Sequence, residues 1–357
     1  MILGIDGRYA NMPRRAGVGN YSLGLLRGLA RMASGENRVR VYLDTAPLPH
    51  FPSVPALEVR VLPRVSFWTH RALARELLHD PPDVYFSPLT QLPRRCPCPA
   101  IVTVHDLAFL DFPREFTWRR RALATFQTRD TMRRAAHLLA DSHATRESVV
   151  RHFPAVQGRI SVVYPACEPQ FRPDISEAEK ESVRRQLGLT APYVLYVGRI
   201  QPRKNLVRLI EAFIAMKERT QLPHHLALAG DPGWLDKEIR AEAARHPACV
   251  RLLGFVDDAQ LPALIAGADM LALVSLWAGF GLPALEALAC GTPVLCSNTS
   301  ALPEVTGDAA LQVAPAGKAA ISASMERLLQ DDTLRAHLKM AGPARAALFS
   351  WDAAAAI

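Results

Sequence analysis

Short apolar runs recur along this chain, each closed by glycine, proline or polar residues and followed by apolar positions three and four apart. The first run, Ile2-Leu3-Gly4-Ile5, predicts a strand. A loop containing Gly17-Val18-Gly19 comes next, and Leu23, Leu26, Leu29 and Ala30 then mark one buried face of a helix. Further strands are predicted at Val39–Leu43, Val84–Phe86, Ala100–Val104, His137–Ala140 and Ile160–Val163, with helices between most of them. The segment Pro165–Glu177 is rich in proline and polar residues and reads as a linker. A second series of strands follows at Tyr193–Val197, His225–Ala229, Val250–Leu253, Met270–Val274, Val294–Cys296 and Ala310–Val313. Strands alternating with helices imply parallel sheets covered on both faces, so the fold class is α/β with two doubly wound domains. Their expected bounds are 1–168 and 169–345. A short segment, 346–357, begins a last helix with Ser350 as its N-cap. Doubly wound domains bind ligands at the C-terminal edges of their strands, and a cleft between two such domains is the expected site.

A length of 357 residues suits two cores, and a hydrophobic share of 49% suits a soluble globular protein. No apolar run is long enough for a membrane-spanning helix. The N-terminus MILGIDGRYA lacks the basic and hydrophobic regions of a signal peptide, so the cytoplasm is the expected location. Six cysteines show no framework spacing; Cys96-Pro97-Cys98 is too tight for a usual zinc knuckle, and reduced thiols are expected. The net charge of +8 is uneven. Residues 1–170 hold 23 arginines, no lysine and 14 acidic residues, whereas the rest holds 19 basic and 20 acidic ones. The excess therefore belongs to the first half and points to an anionic partner there, although a GC-rich genome would also raise the arginine content.

The candidate chemistry lies in the loops. Apolar Leu271–Val274 leads into Gly279-Phe280-Gly281, then Leu282 and Pro283, with proline at the expected first residue of a helix. Amides of a glycine loop at a helix start suit an anion, best a phosphate. Glu286 follows on the expected first turn of that helix, placed to accept hydrogen bonds from ligand hydroxyls. The strand Tyr193–Val197 ends in Gly198-Arg199-Ile200-Gln201-Pro202-Arg203-Lys204-Asn205, whose cations would neutralise a diphosphate. Gly254-Phe255-Val256 is a turn after another strand, and Gly17 and Gly19 form an amide-rich turn before a helix. His105, at the end of the Ala100–Val104 strand, could bond a hydroxyl or move a proton. Ser142 reads as a helix cap. No Asp-x-Asp triplet occurs to hold a divalent metal on a diphosphate, and no nucleic-acid-binding module is present.

The strings GFGLPALEALACGTPV and SNTSALPEV, from Gly279 to Val305, resemble the retaining nucleotide-sugar glycosyltransferases of family GT4, mannosyltransferase-like enzymes of bacterial polysaccharide assembly. His105–Phe116, HDLAFLDFPREF, resembles the same family. The resemblance implies the GT-B fold, two Rossmann-like domains facing across a cleft. It implies transfer of a sugar from a GDP- or UDP-sugar to a hydroxyl of a glycan or lipid-linked acceptor, without metal or other cofactor. By resemblance, Arg199 and Lys204 contact the donor phosphates together with Gly17, Gly19 and the amides of Gly279, Phe280, Gly281 and Leu282. Glu286 binds the ribose, Gly254, Phe255 and Val256 lie against the base, and His105 lies near the transferred sugar. Retention is expected through front-face attack, with the departing phosphate helping to deprotonate the acceptor. In this family the closing helix usually crosses back to the N-terminal domain, and here it is expected to be short.

One position departs from the pattern. The family signature pairs two glutamates; the second is Glu286, and Ala278 stands at the first. Three readings stay open: a deliberate substitution, a native alanine offset by Glu286, Lys204 and His105, or a catalytically impaired nucleotide-sugar-binding protein. A different enzyme on the same fold, such as a sugar phosphorylase or an epimerase, is a further rival. Finally, Arg114–Arg134 interleaves arginines with Phe116 and Trp118 on an expected amphipathic helix, with Trp68, Arg71 and Arg75 as an extension. Such a face suits an anionic membrane, so peripheral attachment at the inner membrane is expected.

Overall fold

The structure, a computed structural model, describes residues 1–15, 17–33 and 37–357. It divides into two compact units. The first comprises residues 1–111, 118–166 and 349–357, and the second comprises 112–117 and 167–348.

In the first unit, β1 (Ile2–Asp6), β2 (Arg38–Leu43), β3 (Leu57–Val61), β4 (Val84–Ser87), β5 (Ala100–Val104), β6 (His137–Ala140) and β7 (Ile160–Val162) form one sheet in the order β3-β2-β1-β4-β5-β6-β7. All neighbours are parallel. Strand β3 was not among the expected elements. It is an edge strand whose apolar residues, Leu57, Val59 and Val61, alternate with Glu58 and Arg60, and Val61 remains exposed. Alternation of that kind is the signal that identifies it.

The second unit holds β8 (Tyr193–Val197), β9 (His225–Ala229), β10 (Val250–Gly254), β11 (Met270–Leu273), β12 (Val294–Ser297) and β13 (Leu311–Val313), in the order β10-β9-β8-β11-β12-β13. These neighbours are parallel as well. The inner strands are apolar on both faces because helices cover both: Val194, Leu195, Leu271, Ala272 and Leu295 are all fully buried.

In each sheet the strand order reverses once, at β1/β4 in the first and at β8/β11 in the second. Loops leaving the C-terminal ends of those two strands run to opposite faces, which opens a crevice at the sheet edge. The loops that carry the candidate chemistry of the second unit leave from that reversal.

The closing helix, Trp351–Ala356, is capped by the Ser350 hydroxyl, which accepts from the Ala353 amide at 3.0 Å. It packs on the helix Gly17–Met32 inside the first unit. Close approach is possible only because Gly24 and Gly28 face it. A Cβ at Gly24 would lie 2.1 Å from the Trp351 ring, and one at Gly28 would lie 2.6 Å from the Trp351 carbonyl oxygen. Trp351 is thereby buried in a core with Leu23, Leu25, Leu26 and Val41.

Candidate functional site

The loop after β8, Gly198–Asn205, is fixed by its own backbone. Ile200 N–H donates to the Asp231 carbonyl at 3.0 Å, and Gly233 N–H donates to the Ile200 carbonyl at 2.8 Å. Gly230 has φ 147° and passes so close that a Cβ there would lie 2.0 Å from the Gly198 oxygen. Of the three cations expected here, Arg199 is exposed, and its guanidinium makes no hydrogen bond or ion pair among the described residues. Lys204 is half-buried at the end of a 3-10 turn, Pro202–Lys204. Arg203 has a structural task instead. Its Nη1 donates to the Trp277 carbonyl at 2.8 Å, and its own carbonyl accepts from Leu276 N–H at 3.0 Å.

Asn205 completes this link and was not singled out as a site residue. Its φ of 61° is left-handed, a conformation that asparagine tolerates better than most residues. Its Nδ2 donates to the Val274 carbonyl at 2.9 Å and to the Pro315 carbonyl at 2.8 Å. The loops that leave β8 and β11 are therefore tied together by two side chains. The only sequence signal for Asn205 is its place directly after Lys204.

The loop after β11 brings Gly279, Phe280, Gly281 and Leu282 to the start of the helix Leu282–Ala289. Gly281 is the N-cap with φ 109°, and a Cβ there would lie 2.6 Å from Leu302. Pro283 is the second helical residue, not the first. The amides of Ala284 and Leu285 close onto the Gly281 carbonyl at 2.8 and 3.3 Å. Those two amides are therefore spent inside the start of the helix. Ala278 is 4% exposed, and its backbone is held from both sides. Its N–H donates to Ser300 Oγ at 3.1 Å and its carbonyl accepts from Ala301 N–H at 3.3 Å.

Glu286 lies past the first turn of this helix, not on it, and is 5% exposed, with no hydrogen bond or ion pair to its carboxyl among the described residues. Burial first, then the neighbouring carboxylates Asp258 and Glu168, push its carboxyl up to about 8. The same surroundings push the thiols of Cys167 and Cys290 up to about 12, mainly through burial and then through Glu286. A neutral acid near pH 7 is the consequence, in a place where the resemblance implies ribose recognition. Gly254 ends β10 with φ 69°, its carbonyl accepting from Gly230 N–H at 2.7 Å. Val256 is buried behind it and Phe255 is half-buried.

In the first unit, β5 and β6 set His105 beside Asp141. Nδ1 lies 2.6 Å from Asp141 Oδ2, and Nε2 lies 2.8 Å from the Pro88 carbonyl oxygen. A carbonyl only accepts, so Nε2 carries a proton, and a carboxylate at Nδ1 favours a second one. Burial opposes the charge, but Asp141 and the Pro88 carbonyl outweigh it and raise the imidazole above the usual histidine range. Both ring nitrogens are thereby engaged, so neither is left to bond a ligand hydroxyl or to move a proton as expected from the sequence, and the arrangement favours the charged form of the ring. Tyr21 sits edge-on to it at 4.9 Å, donating or accepting at Thr103 Oγ1 over 2.9 Å, and Trp351 sits edge-on to Tyr21 at 5.9 Å. Ser142 is the N-cap of the helix His143–His152, its Oγ accepting from Thr145 N–H at 3.0 Å. Gly17 and Gly19 open the helix Gly17–Met32; a Cβ would find open space at Gly17 but would meet the Tyr9 carbonyl at 3.0 Å at Gly19.

The basic segment divides differently from expectation. Phe116 belongs to the second unit, where its ring packs on Trp234 at 5.2 Å and Trp234 Nε1 donates to the Glu115 carbonyl at 2.7 Å. Trp68 is buried beneath the Arg8 guanidinium, 4.1 Å from its ring, and extends no surface patch. On the helix Trp118–Arg134, by contrast, Trp118 and Phe126 are each 74% exposed and Leu123 is 59% exposed. Arg119, Arg120, Arg121 and Arg129 are exposed on the same helix. Among the described residues, no helix is long and apolar enough to cross a membrane.

Two family models match this chain: Glycosyltransferase Family 4 over residues 15–171 and Glycosyl transferases group 1 over residues 178–345. The O-antigen chain mannosyltransferase B of Escherichia coli is 35% identical over 75% of this chain and 71% of its own length. The serotype-specific mannosyltransferase WbdA of the same organism is 30% identical over 61% of this chain, a match that spans 27% of WbdA. Among solved structures, Anabaena HepE in complex with UDP and glucose superposes with a TM-score of 0.74 at 19% identity, over 99% of this chain and 97% of that one. WaaG, a glycosyltransferase involved in lipopolysaccharide biosynthesis, superposes with a TM-score of 0.73 at 18% identity, over 97% and 95%.

Proposed function

The chain belongs to the family 4, group 1 glycosyltransferases and has the GT-B fold, and we propose that it transfers mannose, with retention of configuration, from a nucleoside diphosphate sugar to a glycan hydroxyl. One observation carries this reading. The loops that leave β8 and β11, at the strand-order reversal, are tied together by Arg203 and Asn205 and bring the Arg199–Lys204 cations and the glycine amides to one sheet edge. Cations and amides fixed in advance stabilise a departing diphosphate without reorganising during the reaction. In this proposal, Arg199 and Lys204 supply the positive charge that other transferases take from a metal. Glu286 receives the ribose hydroxyls, and the turn Gly254–Val256 lies against the base of a GDP- or UDP-sugar. His105, oriented by Asp141 and the Pro88 carbonyl, lies near the transferred sugar, and Gly17 and Gly19 contribute amides. The leaving phosphate helps to take the acceptor proton as the new bond forms on the face it vacates.

The choice of mannose is supported by the two Escherichia coli relatives, both mannosyltransferases. The exposed Trp118, Leu123 and Phe126 with their flanking arginines support a lipid-linked acceptor reached at an anionic membrane surface. The second reading, a donor-binding protein with little turnover, is favoured by Ala278 alone. A thermal-shift panel with GDP-, UDP-, ADP- and dTDP-sugars identifies the donor, since ligand at 100 times its Kd adds about 2.7 kcal/mol. Release of nucleoside diphosphate with an acceptor, and the anomeric configuration of the product by NMR, test the rest. Ala278→Glu should raise turnover with little change in donor affinity, as a contact made in the transition state would. Donor binding without turnover in either protein would establish the second reading.

A further inference from the structure

The Cys96-Pro97-Cys98 segment belongs to none of the chemistry above. It lies in the loop that joins β4 to β5, the loop whose Pro88 carbonyl holds His105 Nε2 and whose Pro99 carbonyl accepts from Tyr85 N–H. Both cysteines are half-buried, so small molecules reach them. Their sulfurs are 3.9 Å apart, and Cys96 Sγ also approaches the Cys98 carbonyl at 3.5 Å. Pro97 fixes one backbone torsion between them, which keeps the two side chains on one side of the loop. The sulfurs have to close from that separation to a disulfide bond of about 2.05 Å.

We propose that Cys96 and Cys98 are a reversible dithiol–disulfide couple, in which Cys98 is the attacking sulfur and a hydroperoxide is the oxidant. The Cys98 thiolate attacks a peroxide oxygen and the O–O bond breaks. Cys98 becomes a sulfenic acid, and the departing oxygen takes up a proton. The Cys96 sulfur then attacks the Cys98 sulfur, the S–O bond breaks, and water leaves with the Cys96 proton. Together the thiols lose two protons and two electrons, and hydrogen peroxide is reduced to two waters. A small dithiol reverses the change by two exchange steps.

The other cysteines differ. Cys249, Cys290 and Cys296 are buried, and Cys167 is held up at about 12 by burial and by Glu286. Cys98 alone is lowered from the usual thiol value, by the hydrogen bond with Cys96. A thiolate in reach of a second thiol is the arrangement that oxidises selectively.

The test uses the full chain. It is exposed to hydrogen peroxide, unfolded in urea containing N-ethylmaleimide so that buried thiols also react, and digested with trypsin without reductant. One tryptic peptide, Cys96–Arg114, carries both cysteines and no other. It should lose the mass of two hydrogens and escape alkylation while Cys167, Cys249, Cys290 and Cys296 are still alkylated, and dithiothreitol should restore it. In Cys96→Ser, dimedone should trap a sulfenic acid at Cys98; in Cys98→Ser, Cys96 should survive the same exposure as a thiol. The proposal is overturned if the wild-type peptide is alkylated like the others, passes to sulfinic acids without the disulfide, or links between chains. The reverse order of reactivity in the two variants overturns the role of Cys98.

Discussion

Glu286 offers a quantitative test of the donor site. Its carboxyl is pushed from 4.5 up to about 8 by burial and by Asp258 and Glu168. That shift corresponds to roughly 5 kcal/mol against ionisation, at about 1.4 kcal/mol per pH unit. The sign for stability follows. Between the two values the folded chain holds a proton that the unfolded chain has released, so stability falls as pH rises from 4.5 towards 8 and is then flat. If the ribose hydroxyls both donate to Glu286, donor binding must first remove that proton. At pH 7 this costs about 1.4 kcal/mol and at pH 6 about twice that, so donor affinity should rise roughly tenfold per pH unit and level off near 8.

Calorimetry with a nucleotide sugar over pH 6 to 8.5 reads the effect, because the diester diphosphate of the ligand does not titrate there. Repeating it in buffers of different ionisation enthalpy should show close to one proton released at pH 7. Cys167 and Cys290 stay protonated throughout, being held near 12. Every other titrating group is common to the wild type and Glu286→Gln, so the difference between the two isolates Glu286. The Gln variant should bind donor more weakly at pH 8.5, with no proton release from this position, and should be the more stable protein without ligand at that pH. Affinity that is independent of pH and unaccompanied by proton release in the wild type would show that the ribose does not meet an ionised Glu286.

Three further outcomes are expected. Asp141→Asn should move the His105 titration down in NMR spectra and remove the stabilisation that is full below the ordinary histidine pKa and lost as pH rises through the raised value, about 1.5–3 kcal/mol for a hydrogen bond to a charged group; an unmoved titration would refute the coupling of His105 to Asp141. Gly24→Ala should cost about 1–3 kcal/mol by overpacking against Trp351, and Trp351→Ala should largely cancel that penalty in the double variant by thermal denaturation, whereas additive losses would deny the contact. Wild-type protein should co-sediment with anionic vesicles and detach as salt shortens the screening length to about 8 Å, while Arg119, Arg120 and Arg121 changed together to glutamate should abolish binding and spare the donor site; indifference of the wild type to anionic vesicles at low salt would make the patch a solvated face.

Much of the fold was legible because both sheets are buried on both faces. Strands such as Tyr193–Val197 then read as continuous apolar runs, which periodicity detects without knowledge of their partners. Strand β3 escaped because an edge strand needs only a partly apolar face. The glycine and cation loops were legible for a related reason: loop chemistry at strand ends is local in sequence. What stayed hidden depends on distant partners. Nothing around Gly24 announces that residue 351 will lie against it, and nothing in the run Arg114–Trp118 tells Phe116, which packs on Trp234, from Trp118, which faces solvent. The neutral Glu286 is of the same kind, since its neighbours Glu168 and Asp258 are far away along the chain.

The ties between the two loops also decide what the alanine at 278 can mean. A missing side chain can lower activity by letting the loop relax or by removing a group from the reaction. Relaxation is opposed by contacts that do not involve the Ala278 side chain. Ser300 and Ala301 hold its backbone on either side, Arg203 holds Trp277 and Leu276, and Asn205 holds Val274. The loop conformation is therefore set by its neighbours whatever residue stands at 278. A gain in turnover on Ala278→Glu, with unchanged melting temperature and unchanged donor affinity, would then be a gain in chemistry alone. Should the melting temperature fall instead, a carboxylate has been buried without a partner, and the site is built for the alanine it has.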